Sequence, residues 1–143
     1  MRIFISISLS ILFFVSCNLK NNQVTFTGEI INPTDAMVWI QINDSVQLST
    51  KLDENNKFEF NFEIEEANSY RFDHGGHTLV FLKPGSELNI TLDAKNFDES
   101  ITYSGSNIEE NEFLKKRILI VENLQANRFE IPNMNKNEFD STI

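Results

Sequence analysis

Phe58, Phe60, Phe62 and Ile64 alternate without a break with Glu59, Asn61 and Glu63. Successive side chains of a strand point to opposite faces, so this stretch puts its large apolar groups on one side and its polar groups on the other. A helix, with its 3.6-residue repeat, does not sort these residues that way. The segment therefore demands a sheet with one buried and one solvated face. The same period returns at Glu87 to Asp93, where Leu88, Ile90 and Leu92 share a face, and in Val24-Thr25-Phe26-Thr27-Gly28-Glu29-Ile30. Leu79-Val80-Phe81-Leu82 is a continuous apolar run, the pattern of a strand covered on both faces.

Turn-forming residues separate these stretches at intervals of about ten residues. Asn32-Pro33-Thr34-Asp35 follows the first strand, and Asn43-Asp44 turns Met37–Ile42 back into Val46–Leu52. Asp53-Glu54-Asn55-Asn56-Lys57 leads into the Phe-rich strand. Lys83-Pro84-Gly85-Ser86 has the Pro-Gly order of a type II turn, in which glycine accepts the positive φ. The rhythm predicts a mainly β domain over residues 24–105, an antiparallel β-sandwich or barrel-like sheet of seven to eight strands, with no helix of useful length inside it. Thirteen phenylalanines make its core aromatic.

One C-terminal α-helix follows, over residues 106–131. Ser106 and Glu109 have the spacing of a capping box, with Ser106 as the N-cap. Phe113, Leu114, Arg117, Ile118, Val121 and Leu124 form a stripe at helical spacing, either to pack on the sheet or to serve in a connector. Pro132 ends the run. Residues 132–143 are a polar tail without the character of a domain terminus, which leaves open that the reading frame is truncated.

The opposite end of the chain carries a different signal. Met1-Arg2 is followed by a stretch from Ile3 to Val15 that is apolar except for three serines. A bilayer span needs about 20 apolar residues, so this run suits the core of a signal peptide over residues 1–16. Phe14-Val15-Ser16-Cys17 then resembles a bacterial lipobox, departing from it at Phe14 where leucine is usual. The resemblance implies cleavage before Cys17 and acylation of its thiol and new amino group. Acyl chains contribute about 0.8 kcal/mol per buried methylene, so several of them hold a protein on a membrane. Residues 17–23 would be the lipidated tether, and the domain would face the periplasm from a bacterial cell envelope.

The chain has 21 acidic and 12 basic residues, a formal net charge of −9. Such a surface repels phosphate backbones and argues against nucleic acid as a partner. Cys17 is the one cysteine, so an intrachain disulfide, a CxxC redox pair and a cysteine-built zinc site are all excluded. No catalytic residue or cofactor is expected. Glu65-Glu66 and Glu109-Glu110 fall at element ends, where solvated charge is ordinary, and no phosphate-binding glycine loop is present. His74-Gly75-Gly76-His77 offers two imidazoles, with Asp73 as a third donor, as a weak metal candidate. Two glycines between strand patterns read first as a hairpin turn, which would send the histidines to different faces. Trp39 shares an alternation face with Met37, opposite Val38, Ile40 and Ile42, and is assigned to the core rather than to a ligand platform. Asp44-Ser45-Val46 and Asp140-Ser141-Thr142 resemble the three-residue O-glycosylation site of some Gram-negative envelope proteins.

Taken in order, Phe26-Thr27-Gly28-Glu29-Ile30, Phe81-Leu82-Lys83-Pro84-Gly85-Ser86, Asn96-Phe97-Asp98, Tyr103-Ser104-Gly105-Ser106 and Asn111-Glu112-Phe113-Leu114 are similar to a known pattern. They resemble the N-terminal β domain that precedes the thioredoxin-like domain in TlpA-like thiol–disulfide oxidoreductase lipoproteins of Gram-negative envelopes. The resemblance runs from about Val24 to Leu124. It implies an envelope redox protein working through a CxxC pair, but this chain has no CxxC, so no catalytic residue carries over. What remains is a non-catalytic accessory or docking role toward an envelope protein, or the front part of a redox enzyme.

Overall fold

The alternating segments form eight strands, and the computed structural model describes them within residues 21–130. They are β1 (Gln23–Ile31), β2 (Met37–Gln41), β3 (Gln47–Lys51), β4 (Lys57–Glu63), β5 (Asn68–His74), β6 (Gly76–Leu82), β7 (Glu87–Asp93) and β8 (Thr102–Gly105). A single helical turn, α1 (Phe97–Ser100), lies between β7 and β8, and α2 (Ile108–Glu130) ends the described chain. The predicted β-sandwich with one C-terminal helix is the observed architecture, and the sheets do not close into a barrel.

One sheet has the order β4-β1-β7-β8 and the other β3-β2-β5-β6. The chain crosses between them four times, entering the second sheet twice as a hairpin. On its return it lays β7 parallel to β1, in register from Thr25↔Glu87 to Ile31↔Asp93. All other pairings are antiparallel, so the antiparallel expectation needs this one correction.

The inward faces carry the predicted alternation. Val24, Phe26 and Ile30 from β1, Phe58 and Phe60 from β4, and Leu88, Ile90 and Leu92 from β7 meet Val38 and Ile40 from β2, Phe72 from β5, and Val80 and Leu82 from β6. Four phenylalanines tie the layers together. Phe72 contacts Phe26 edge-on at 5.4 Å between ring centroids and stacks on Phe58 at 5.2 Å. Each such ring contributes about 1.5–3 kcal/mol by leaving water, so this cluster alone is a large share of the stability of a domain this size.

The turns follow the residues that specify them. Ser86 N–H donates to Lys83 O at 3.0 Å and Gly85 has φ +84°, completing the type II turn. Asp53 Oδ1 accepts the Asn55 and Lys57 N–H groups at 2.8 Å each, and Asn56 takes the left-handed conformation at φ 59°.

Strand β6 is an edge, yet its outer side is not open at Phe81. Asn111 of α2, fully buried, accepts the Phe81 N–H at 2.8 Å and donates to the Phe81 carbonyl at 3.0 Å. One side chain thus imitates a neighbouring strand. Leu114 adds the apolar contact, and Lys115 Nζ donates to Ile101 O at 2.6 Å.

The capping box is not formed. Ser106 Oγ accepts the Glu87 N–H at 3.0 Å instead, and Asn107, at φ 60°, stands before Ile108, where the helix begins. Beyond Lys115 the helix runs out into solvent. Of the predicted stripe only Leu114 is buried.

Candidate functional site

His74 and His77 end on opposite sides of their sheet, because the β5–β6 hairpin pairs Asp73 with His77 and closes through Gly75 at φ +75°. His74 faces inward and is fully buried. Its Nε2 accepts the Thr34 N–H at 3.2 Å, so Nδ1 carries the proton and donates to Met37 O at 2.9 Å. Both nitrogens are committed to the backbone of the β1–β2 connection, and neither is left for a metal. His77 faces outward and is exposed. No group of three or more His, Cys, Asp or Glu side chains lies within metal-binding reach among the described residues.

The outward side of this sheet holds a groove of about 750 Å³. Trp39, Gln41, Gln47, Arg71, Asp73 and His77 line it, between the β2–β3 turn and the β5–β6 turn. Trp39 is half-buried on this solvated face, not in the core. Both faces of β2 are apolar, and the pairing of Val38 and Ile40 with the phenylalanine layer decides which one turns inward. Arg71 and Asp73 sit two residues apart on one strand and so share a face. Arg71 Nε donates to Asp73 Oδ2 at 3.0 Å and Nη2 to Oδ1 at 2.8 Å. The carboxylate in turn holds the guanidinium above its ordinary pKa through that hydrogen bond and its charge.

A second polar group lies beneath α1 and α2. Burial pushes the Asp98 carboxyl up, against a hydrogen bond from Thr78 and the nearby positive charges of His77 and Lys115. Burial also pushes the Tyr103 phenol up, with Glu112 and Asp98 adding to it. Asp98 Oδ1 and the Tyr103 hydroxyl have no hydrogen-bond partner.

The acidic pairs lie at element ends. Glu110 accepts from Lys83 Nζ at 2.6 Å, which lowers its pKa, and Glu65 and Glu66 lie exposed in the β4–β5 connection. Asp44, Ser45 and Val46 form the exposed tip of the β2–β3 turn, while Asp140-Ser141-Thr142 lies outside the described residues. So do residues 1–20, which include Cys17, the expected signal peptide over 1–16 and the first part of the expected tether.

Among the described residues, the exposed large apolar side chains concentrate on helix α2. Phe113 is 65% exposed, Ile120 59%, Val121 46% and Leu124 64%. Phe113, Arg117, Ile120 and Leu124 follow one another at steps of three and four residues, so they share a face. The segments that carry the family resemblance also meet in space: Ser86 Oγ donates to Asn107 Oδ1, Glu87 pairs with Ser106, and Asn111 clasps Phe81. No family model, curated protein or solved structure matches the chain.

Proposed function

We propose that this chain is a lipid-anchored cell-envelope module, held at the membrane through Cys17, whose β domain has an accessory, protein-interaction role and no chemistry of its own. The observation that carries the interaction role is the apolar stripe Phe113–Ile120–Leu124 on a helix that leaves the sandwich after Lys115. Monomeric domains seldom leave so many large apolar side chains uncovered along one helix face, and such faces are used to dock into apolar grooves. The lipobox-like Phe14-Val15-Ser16-Cys17 supports the anchor. The joined Pro-Gly turn, Ser-Gly-Ser segment and Asn111 clasp support reading the domain as a TlpA-like N-terminal β domain.

The test is the intact mass of the native protein extracted with detergent from cell envelopes, after photocross-linking from position 120. A mass of residues 17–143 plus acyl chains, with a discrete cross-linked partner, is the expected result. An unacylated chain overturns the anchor, and absence of any cross-link overturns the interaction role. A much longer acylated chain carrying a CxxC pair would instead make this the front domain of a thiol–disulfide oxidoreductase.

A further inference from the structure

Trp39 is the one tryptophan of the chain, and it stands on a solvated sheet face while phenylalanine and aliphatic side chains fill the core. Outward positions on an antiparallel sheet ordinarily take polar residues. Here an indole, a broad flat apolar surface, is left partly in water and surrounded by hydrogen-bonding groups. The strand register places Ser49, Trp39, Asp73 and His77 in one row across the four strands, with Gln47, Gln41 and Arg71 in the next.

We infer that this groove binds a neutral carbohydrate chain. A sugar ring has an apolar face of C–H groups and a rim of hydroxyls that both donate and accept. Trp39 supplies the flat surface for the first. The amides of Gln41 and Gln47, the Asp73 carboxylate and the Arg71 guanidinium supply planar donors and acceptors for the second. The Arg71–Asp73 pair matters twice over. It holds both side chains in place before binding, which reduces the ordering cost of association. It also cancels its own charge, leaving a floor that favours an uncharged polar ligand over a phosphate or a cation.

Other occupants fit less well. The net charge of −9 opposes polyanions. The groove is shallow and polar apart from Trp39, which disfavours an acyl chain. Its lining follows the strands from Asp44 in one turn to Gly75 in the other. The four strand steps of β2 alone, from Met37 to Gln41, span about 13 Å at roughly 3.3 Å each, room for more than one sugar ring. This site shares no lining residue with the α2 stripe and stands or falls separately from it.

The single tryptophan makes the test direct, because its emission reports on this groove alone. The detergent-solubilised full-length protein is titrated with cellohexaose, maltohexaose, laminarihexaose and chitohexaose, by fluorescence and by calorimetry. A saturable change with at least one of them is expected, and Trp39→Ala should weaken that binding roughly tenfold or more. Arg71→Gln should weaken it too, with the thermal unfolding midpoint of both variants near that of the parent. The inference is overturned by no saturable signal with any of the four, by binding that survives Trp39→Ala unchanged, or by binding confined to an anionic polymer such as polygalacturonate.

Discussion

His74 spends both ring nitrogens on main-chain groups of Thr34 and Met37, and its ring is fully buried. His74→Ala leaves the Thr34 N–H and Met37 carbonyl without that partner and opens a cavity, so it should lower stability by about 2–4 kcal/mol in urea denaturation. His77→Ala, on the exposed side, should stay within about 0.5 kcal/mol. Equal effects from the two would refute the inward and outward placement. Asp98 makes a contrasting case. Burial raises its folded pKa above the ordinary carboxylate value of about 3.9, so the stability it contributes is fully present below that pH and lost as pH rises through the folded value. Asp98→Asn, which mimics the protonated acid, is therefore expected to be more stable than the parent at neutral pH. The difference should shrink as pH falls below about 4, where the parent carboxyl is protonated in both states. A variant less stable than the parent at neutral pH would show that the ionised carboxylate is well supported.

At the scale of elements, the central fastening of α2 to the sandwich is the Asn111 clasp on Phe81, flanked by the Lys83–Glu110 ion pair and the Lys115 bond to the Ile101 carbonyl. Asn111→Ala frees a buried N–H and a buried C=O on an edge strand at once. A loss of about 2–3 kcal/mol is expected, with faster amide exchange at Phe81 and little change along β1. Uniform acceleration across both sheets would mean that the helix is integral to the core instead. The strands were legible because a two-residue period admits only one geometry, and Pro84-Gly85 was legible because few turns accept that order. What depends on distant partners was not. The Ser106 hydroxyl was read as a helix cap because sequence shows only local donors, yet the Glu87 N–H reaches it from 19 positions away. The expected α2 stripe mixes Leu114, which packs on the sandwich, with exposed Phe113, Val121 and Leu124 and omits exposed Ile120, because spacing does not say which side lies against anything. Trp39 was misplaced for a related reason: with both faces of β2 apolar, the pattern does not say which turns inward. The Arg71–Asp73 pair could have been drawn from their shared face, whereas its position beside Trp39 required knowing that β2 lies next to β5.

Across the whole molecule, the two acidic-side and alkaline-side limits of stability have different origins. Asp93 is held low by its hydrogen bonds from Asn32 and the Lys95 N–H, and Glu110 by Lys83, so their contributions are present above the ordinary carboxylate range and lost as pH falls through their folded values. Both are solvent-exposed, and screening keeps their effect small. The alkaline limit is set from inside. The chain has two tyrosines, and the pKa of each is raised chiefly by burial, Tyr70 with help from Glu66 and Tyr103 with help from Glu112 and Asp98. A folded pKa above the ordinary phenol value of about 10 means that stability is intact below that pH and declines as pH rises toward the folded value, because the unfolded chain releases its phenolic protons first. The phenolate absorbance of the native protein should therefore stay flat through the range where free tyrosine titrates, about pH 10. It should then rise together with loss of the β-sheet circular dichroism signal, in one cooperative step. Tyr103→Phe removes the buried hydroxyl that has no partner and should move that step to higher pH. A phenolate signal that titrates near pH 10 while the sheet signal is unchanged would mean that these rings are solvated, and that the side of the sandwich between β8 and β6 is open rather than closed by its helices.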